Sequence, residues 1–220
     1  MPASHSLNKA NLWHWTVGYY LFLICLGLDI ALLGPTLPAL AEQTHTRIGL
    51  MGFLFLSQST GYIIGTTLGG RLFDRVPAHP VLGIAELTIA GALVATPLVP
   101  VFELLLGLMV IKGIAGGLIN TGANTLLLWA YRERSGPYMN GLHFCFGLGA
   151  FLSPLLLAQV IDQPFGYRWA YWGLAAFTAF AALYMLLQAG SQPRPRSQTE
   201  TTSPHPNRPL PYRVVISGAL

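Results

Sequence analysis

The chain has 220 residues, 53% of them hydrophobic and only 9% charged, whereas an ordinary soluble domain carries about 25% charged residues. A core built from a chain of this length cannot take that much apolar surface out of water, so lipid is its solvent. The formal net charge of +4 does not point to nucleic acid, because the cations are scattered between apolar segments and not gathered on one water-facing surface.

Six apolar runs follow one another, at 17–40, 48–73, 81–99, 104–130, 138–161 and 169–187. About 20 apolar residues cross roughly 30 Å of hydrocarbon as a helix, and each run is about that long or longer. The expected fold is an all-α membrane protein with six transmembrane helices. The first run is not a cleaved secretory signal, despite Ala39-Leu40-Ala41, since it is too long, contains Asp29 and is followed by further spans.

Asp29 falls near the middle of the first run. A carboxylate at that depth costs on the order of 2.5–3.5 kcal/mol on insertion scales, so it is protonated, paired or facing a wet cavity. The second run carries Gly61, Gly65 and Gly69 at four-residue spacing, a stripe that admits another helix close to its backbone. Gln58 on the same run is a candidate pocket residue. The run ends in Gly70-Arg71-Leu72-Phe73-Asp74-Arg75, a charged tight loop in which Gly70, Asp74 and Arg75 are candidate parts of a conformational gate. In the third run, Glu86 is expected near the cytoplasmic end, paired with a loop arginine of the same gate.

The fourth run places Lys112, Gly116, Asn120 and Asn124 four residues apart, hence on one helix face. Lys112 either pairs with Asp29 or snorkels to the outer surface. Asn120 and Asn124 offer donors and acceptors suited to sugar hydroxyls, or serve as interhelical glue. In the fifth run Asn140 and His143 lie one turn apart and are candidate solute contacts. Trp13, Trp15, Trp129 and the cluster Tyr167, Trp169, Tyr171 and Trp172 suit the interfacial aromatic belt. Cys25 and Cys145 lie within apolar runs and form no metal-ligand pattern. With no His-Glu-x-x-His, no phosphate-binding glycine loop and no facing serine and histidine, neither an enzyme nor a metal or cofactor is expected.

Sorting the cations by loop gives the orientation. Lys9, Arg71, Arg75, Arg132, Arg134, Arg194, Arg196, Arg208 and Arg213 fall on one side, and only Arg47 and Arg168 on the other. By the positive-inside rule, both termini face the cytoplasm of an inner or plasma membrane. The expected organisation is a cytoplasmic N-terminus at 1–16, a six-helix bundle at 17–187, a disordered cytoplasmic linker at 188–211, rich in Ser, Thr and Pro, and the first turns of a truncated seventh helix at 212–220.

Gly70, Leu72, Asp74 and Arg75 resemble the signature between the second and third helices of the major facilitator superfamily, with Pro77 in place of its second glycine and Ala78-His79 in place of further cations. Leu118 to Asn124, with Asn140-Gly141-Leu142-His143-Phe144, Gly147, Gly149-Ala150 and Ser153-Pro154, resemble the branch containing fucose permease and the sodium-dependent glucose transporter. The resemblance covers helices 1 to 6. It implies the N-terminal half of a major facilitator fold, two inverted three-helix repeats with a solute site at mid-membrane between halves. It further implies a secondary active transporter moving a sugar or similar small polar solute by alternating access, coupled to H+ or Na+, whose C-terminal half is missing from this chain.

On that reading the polar side chains of helices 1, 4 and 5 face a shared watery cleft, and Asp29 either couples solute movement to the cation or forms a structural ion pair. The fucose permease type has an acid where Asn120 stands, so coupling chemistry does not carry over to that position. The rival readings are a non-transporting six-helix membrane protein, either an assembly partner or a truncated remnant, and an exporter of drugs or metabolites.

Overall fold

A computed structural model of the chain describes residues 9–188, with side chains from 12 onward. The expected linker at 188–211 and seventh helix at 212–220 lie outside the described residues, apart from Gln188. In hydrocarbon every backbone N–H and C=O must find its partner within the segment, which leaves the helix as the form for an apolar run in a bundle. The described residues form six long helices: α1 (Lys9–Gln43), α2 (Gly52–Leu72), α3 (Ala78–Ala95), α4 (Phe102–Tyr131), α5 (Ser135–Ala158) and α6 (Gly166–Leu187), joined by short turns and with no strand among them.

Five segments are long and apolar enough to cross a membrane, and one of them, Phe102–Ala158 at 57 residues, contains both α4 and α5. What divides it is the 3-10 turn Arg132–Arg134, where Arg132 takes a φ of 49°. The ring of Tyr131 stacks on Tyr138 across this corner, centroids 3.5 Å apart, so the chain reverses on an aromatic clasp. Between α3 and α4 the break is made by Pro97, within a second 3-10 turn, and Pro100. α1 keeps Pro35 and Pro38 inside its length, a tolerance characteristic of helices whose freed backbone groups are satisfied by neighbours. It also begins at Lys9, upstream of its apolar run, so the expected N-terminal segment at 1–16 is partly helix.

Helix pairing follows the small residues. α1 packs on α5 and α6, α2 on α4, and α3 on α6 and α4. Exchanging α1 with α4, α2 with α5 and α3 with α6 maps these pairs onto one another. The seams of the two tightest pairs are lined by glycine from both sides. A Cβ on Gly61 or Gly65 would strike the backbone carbonyls of Val110 and Ile114 on α4, and one on Gly113 or Gly117 those of Gln58 and Tyr62 on α2. In the equivalent pair, Gly27 of α1 abuts the carbonyl of Phe146, and Gly149 of α5 abuts that of Ile24. Only hydrogen atoms fit in these gaps.

Next to the second seam, the Ser153 hydroxyl donates to the Leu28 carbonyl at 2.7 Å. Buried interhelical hydrogen bonds in membranes contribute about 0.6 kcal/mol on average. Ser153→Ala is expected to cost about that much in detergent unfolding, far less than any glycine replacement in the same seam. A loss comparable with a glycine variant would show that the hydroxyl, and not the close backbone approach, holds α1 to α5.

The outward faces are apolar and bare, with Ile63, Phe144, Phe151, Phe180 and Leu183 more than half exposed. In water such a surface would aggregate; in a bilayer it is ordinary.

Candidate functional site

α1 and α4 carry opposite charges at membrane depth. The Lys112 ammonium donates to Asp29 Oδ1 at 2.7 Å, and their side chains are 0% and 1% exposed. Of the two arrangements open to Lys112, the structure holds the pair and not the outer surface. It also corrects the expected cleft at these two residues: Asp29 and Lys112 are each 1% exposed, sealed inside the bundle and not open on a cleft face. Asp29 Oδ2 has no hydrogen-bond partner. Close by, the hydroxyls of Thr36 on α1 and Tyr171 on α6 bond to each other at 2.9 Å. Tyr171 is therefore a fully buried core residue and not a belt anchor.

Further along the same face of α4, Gly116 lets Leu26 and Tyr62 approach, and Asn120 and Asn124 are half-buried. The Asn124 amide donates to the Asn120 backbone carbonyl at 2.7 Å. The Asn124 amide thus bonds back within α4, while the Asn120 side chain lies beside the Tyr62 hydroxyl of α2. Gln58 is half-buried on α2 at the glycine seam.

Asn140 and His143 lie on the exposed side of α5, together with Phe144 and Gly147, while Leu142, Gly149 and Ser153 turn inward. No hydrogen bond joins either residue to the Asn120 and Asn124 pair. The structure thus divides the expected site residues into a sealed ion pair, a half-buried amide pair and an exposed pair on α5. Two concavities lie elsewhere. One, about 580 Å³, is formed by Pro38, Ala41, Glu42, His45, Thr46 and Ile48; the other, about 270 Å³, is an apolar groove between α3 and α4.

At the gate, Gly70, Asp74 and Arg75 are exposed, and the Asp29–Lys112 bridge is the single ion pair among the described residues. Asp74 and Arg75 therefore do not tie helix ends together as expected. Glu86 departs furthest from expectation. α3 begins at Ala78, so Glu86 stands eight residues, about 12 Å, into the helix. It is wholly buried, paired with no loop arginine, and neither carboxylate oxygen has a partner.

Three residues outside the candidate set form a further buried cluster at the α3 N-terminus. The Tyr19 hydroxyl and His79 Nε2 are 2.6 Å apart, and the Trp15 ring lies 5.2 Å from the imidazole. Trp15 is 3% exposed, so of the two tryptophans expected as anchors at this end only Trp13 faces outward. Burial of His79 was hidden because its loop neighbours Pro77 and Pro80 read as a turn.

Multiple apolar helices, close small-residue seams and a charge pair sealed at mid-depth define a multi-pass membrane protein. The model of the Major Facilitator Superfamily matches residues 19–218, and the chain belongs to that family, which consists of transporters and not of enzymes. It is 40% identical over 146 residues to sodium-dependent glucose transporter 1 of Danio rerio, covering 66% of this chain and 25% of that protein. With the protein of the same name in Rattus norvegicus it shares 35% identity over 154 residues, 70% of this chain and 32% of the relative. It is also 36% identical over 150 residues to major facilitator superfamily domain-containing protein 4A of Homo sapiens, covering 67% of this chain and 29% of that one. The chain thus spans about a quarter to a third of the length of the curated relatives it matches.

Proposed function

We propose that this chain supplies the N-terminal six-helix half of a cation-coupled secondary transporter for a sugar or similar small polar solute, with both termini in the cytoplasm. The observation that carries the reading is the buried Asp29–Lys112 pair, which joins α1 to α4 at membrane depth on the face that continues into Asn120 and Asn124. Intramembrane charge is expensive and is kept where it serves transport. The mutual exchange of the helix pairs supports two inverted three-helix repeats, α1–α3 and α4–α6, with α1 and α4 as equivalent central helices.

On this reading the half-buried amides of α4 and the exposed Asn140 and His143 of α5 form one wall of a solute site, and a second six-helix half forms the other. Gln58 borders that wall. The Asp29–Lys112 pair lies behind it and changes strength as α1 and α4 move, which is how an ion pair biases a two-state equilibrium. Asp74 and Arg75, free at the foot of α2, stabilise one orientation by contact with the facing half. The sugar-like solute and Na+ as coupling ion are supported by the name of the relatives, sodium-dependent glucose transporter 1; H+ is supported by the intramembrane acids.

The test is uptake by the complete protein in proteoliposomes. Asn120→Ala and Asn124→Ala are expected to raise the apparent KM for the transported sugar with little change in folding, and Asp29→Asn to abolish gradient-driven accumulation while solute exchange persists. Unaltered kinetics in the two amide variants would remove α4 from the solute wall. Accumulation undiminished in Asp29→Asn would leave the ion pair a packing feature.

A further inference from the structure

Glu86 is a buried acid outside both the Asp29–Lys112 pair and the solute wall. Its carboxyl is 0% exposed, at the middle of α3, and both oxygens lack a hydrogen-bond partner. Two other orphaned oxygens are buried in the same interior, Thr178 Oγ1 on α6 and Asp29 Oδ2 on α1. The Cys25 thiol, one turn before Asp29 on α1, lies beside both Glu86 and Thr178. Asp29 is the charged neighbour of Glu86, and Asp29 is itself bonded to the Lys112 ammonium. From α6 the buried Thr178 hydroxyl lies beside the Cys25 thiol; the one charged residue of that helix, Arg168, is in its first turn. The α4 residues in the groove between α3 and α4 are apolar: Ile111, Ile114, Ala115 and Leu118.

Charge accounting then decides what this interior can hold. Asp29 and Lys112 sum to zero, so an ionised Glu86 leaves one unbalanced negative charge among apolar helices. An unpaired buried charge costs far more than a buried neutral acid. The sealed arrangement therefore requires that one cation enter with the Glu86 carboxylate. A metal ion needs several ligands in place, and among the described residues no group of three His, Cys, Asp or Glu side chains is arranged to hold one. A proton needs only the carboxylate itself.

We propose that Glu86 is a proton-binding site of the transport cycle, loaded when α1, α3 and α6 are closed around it and released when that interior opens to water. This rests on the coupled-transport reading and adds a second coupling residue to Asp29. Loading converts the carboxylate to the neutral acid and removes the unbalanced charge. Release returns the proton to admitted water and leaves the carboxylate to be solvated, so protonation favours the closed bundle.

Infrared difference spectra of the complete protein in lipid test the site without any solute. The expected result is a protonated-carboxyl C=O band that disappears as the pH is raised, is absent in Glu86→Gln and remains in Asp29→Asn. A band that persists at every pH would make Glu86 a permanently neutral packing group and overturn the proposal. So would a band lost only in Asp29→Asn, or one displaced at fixed pH by sodium. If Glu86→Gln does not fold, Glu86→Asp serves instead: the band must shift in frequency, and an unshifted band counts against the assignment. In proteoliposomes Glu86→Gln is expected to keep solute exchange and lose proton-driven accumulation. A wild type that moves no solute would end the transport reading while leaving the spectroscopic result intact, so the two failures are distinguishable.

Discussion

Lys112→Met in the complete protein is expected to lower stability by about 3–5 kcal/mol, the cost typical of removing one partner from a buried ion pair. The loss comes less from the missing attraction than from the Asp29 carboxylate left behind. It is 1% exposed, and its one charged hydrogen-bond donor is the Lys112 ammonium at 2.7 Å. Methionine matches the length of the lysine stem and leaves no cavity, so packing contributes little to the difference. Asp29→Leu combined with Lys112→Met removes both charges and is expected to recover most of the stability, because apolar replacement of a whole buried pair is often neutral or favourable. Thermal or denaturant unfolding of wild type, both single variants and the double variant in detergent provides the cycle. A double variant as unstable as the worse single variant would mean that the two residues hold the bundle by shape and not by their charges. Transport in the stable double variant is expected to be uncoupled, since the fold survives and the switch does not.

The second large effect lies in the α2 and α4 seam. Gly61→Ala and Gly113→Ala each place a methyl group against an opposing backbone carbonyl, of Val110 and Gln58 respectively. A side chain in that position could rotate aside; a carbonyl within a hydrogen-bonded helix cannot. Each variant is expected to lose at least the roughly 1–3 kcal/mol typical of overpacking. Gly107→Ala, on the same α4, is the control: nothing lies within 4 Å of its added Cβ. Alanine there is expected to stabilise slightly, since glycine costs a helix interior about 0.5–1 kcal/mol relative to alanine. Opposite signs for Gly113→Ala and Gly107→Ala in one unfolding assay identify the seam. Equal responses would show that α2 and α4 are not in backbone contact in the membrane.

The helices were legible in the sequence because an apolar run of sufficient length has one structural solution in lipid. Their ends were less so. Pro77 and Pro80 read as a loop between two spans, yet proline is tolerated in the first turn of a helix, and α3 starts at Ala78. That shift moved Glu86 from the membrane edge to its interior and separated it from the loop arginines. The four-residue spacing of Lys112, Gly116, Asn120 and Asn124 correctly placed them on one face, but periodicity on α4 says nothing about which residue of another helix stands opposite. It left the Asp29 pairing open, and only the packing of α1 on α4 closes it. The Gly61 and Gly65 stripe announced a close neighbour without naming it; the answering glycines, Gly113 and Gly117, lie about 50 residues away and carry no local signal of partnership. Trp15 and Tyr171 looked like membrane-edge aromatics by position alone. Both are buried by contacts with α3 and α1 that a single strand of sequence cannot display.

The two glycine seams divide the molecule mechanically. Where carbonyls of one helix touch bare Cα atoms of the next, along α1 with α5 and α2 with α4, there are no rotatable atoms to absorb displacement, and each pair travels as a single stiff plate. α6 instead meets α1 and α3 through long, rotatable side chains, Met185 against Gly18 and Leu186 against Gly83. Deformation of the bundle therefore concentrates where pliable thioether and isobutyl groups act as the bearing, and α6 is the element that yields first.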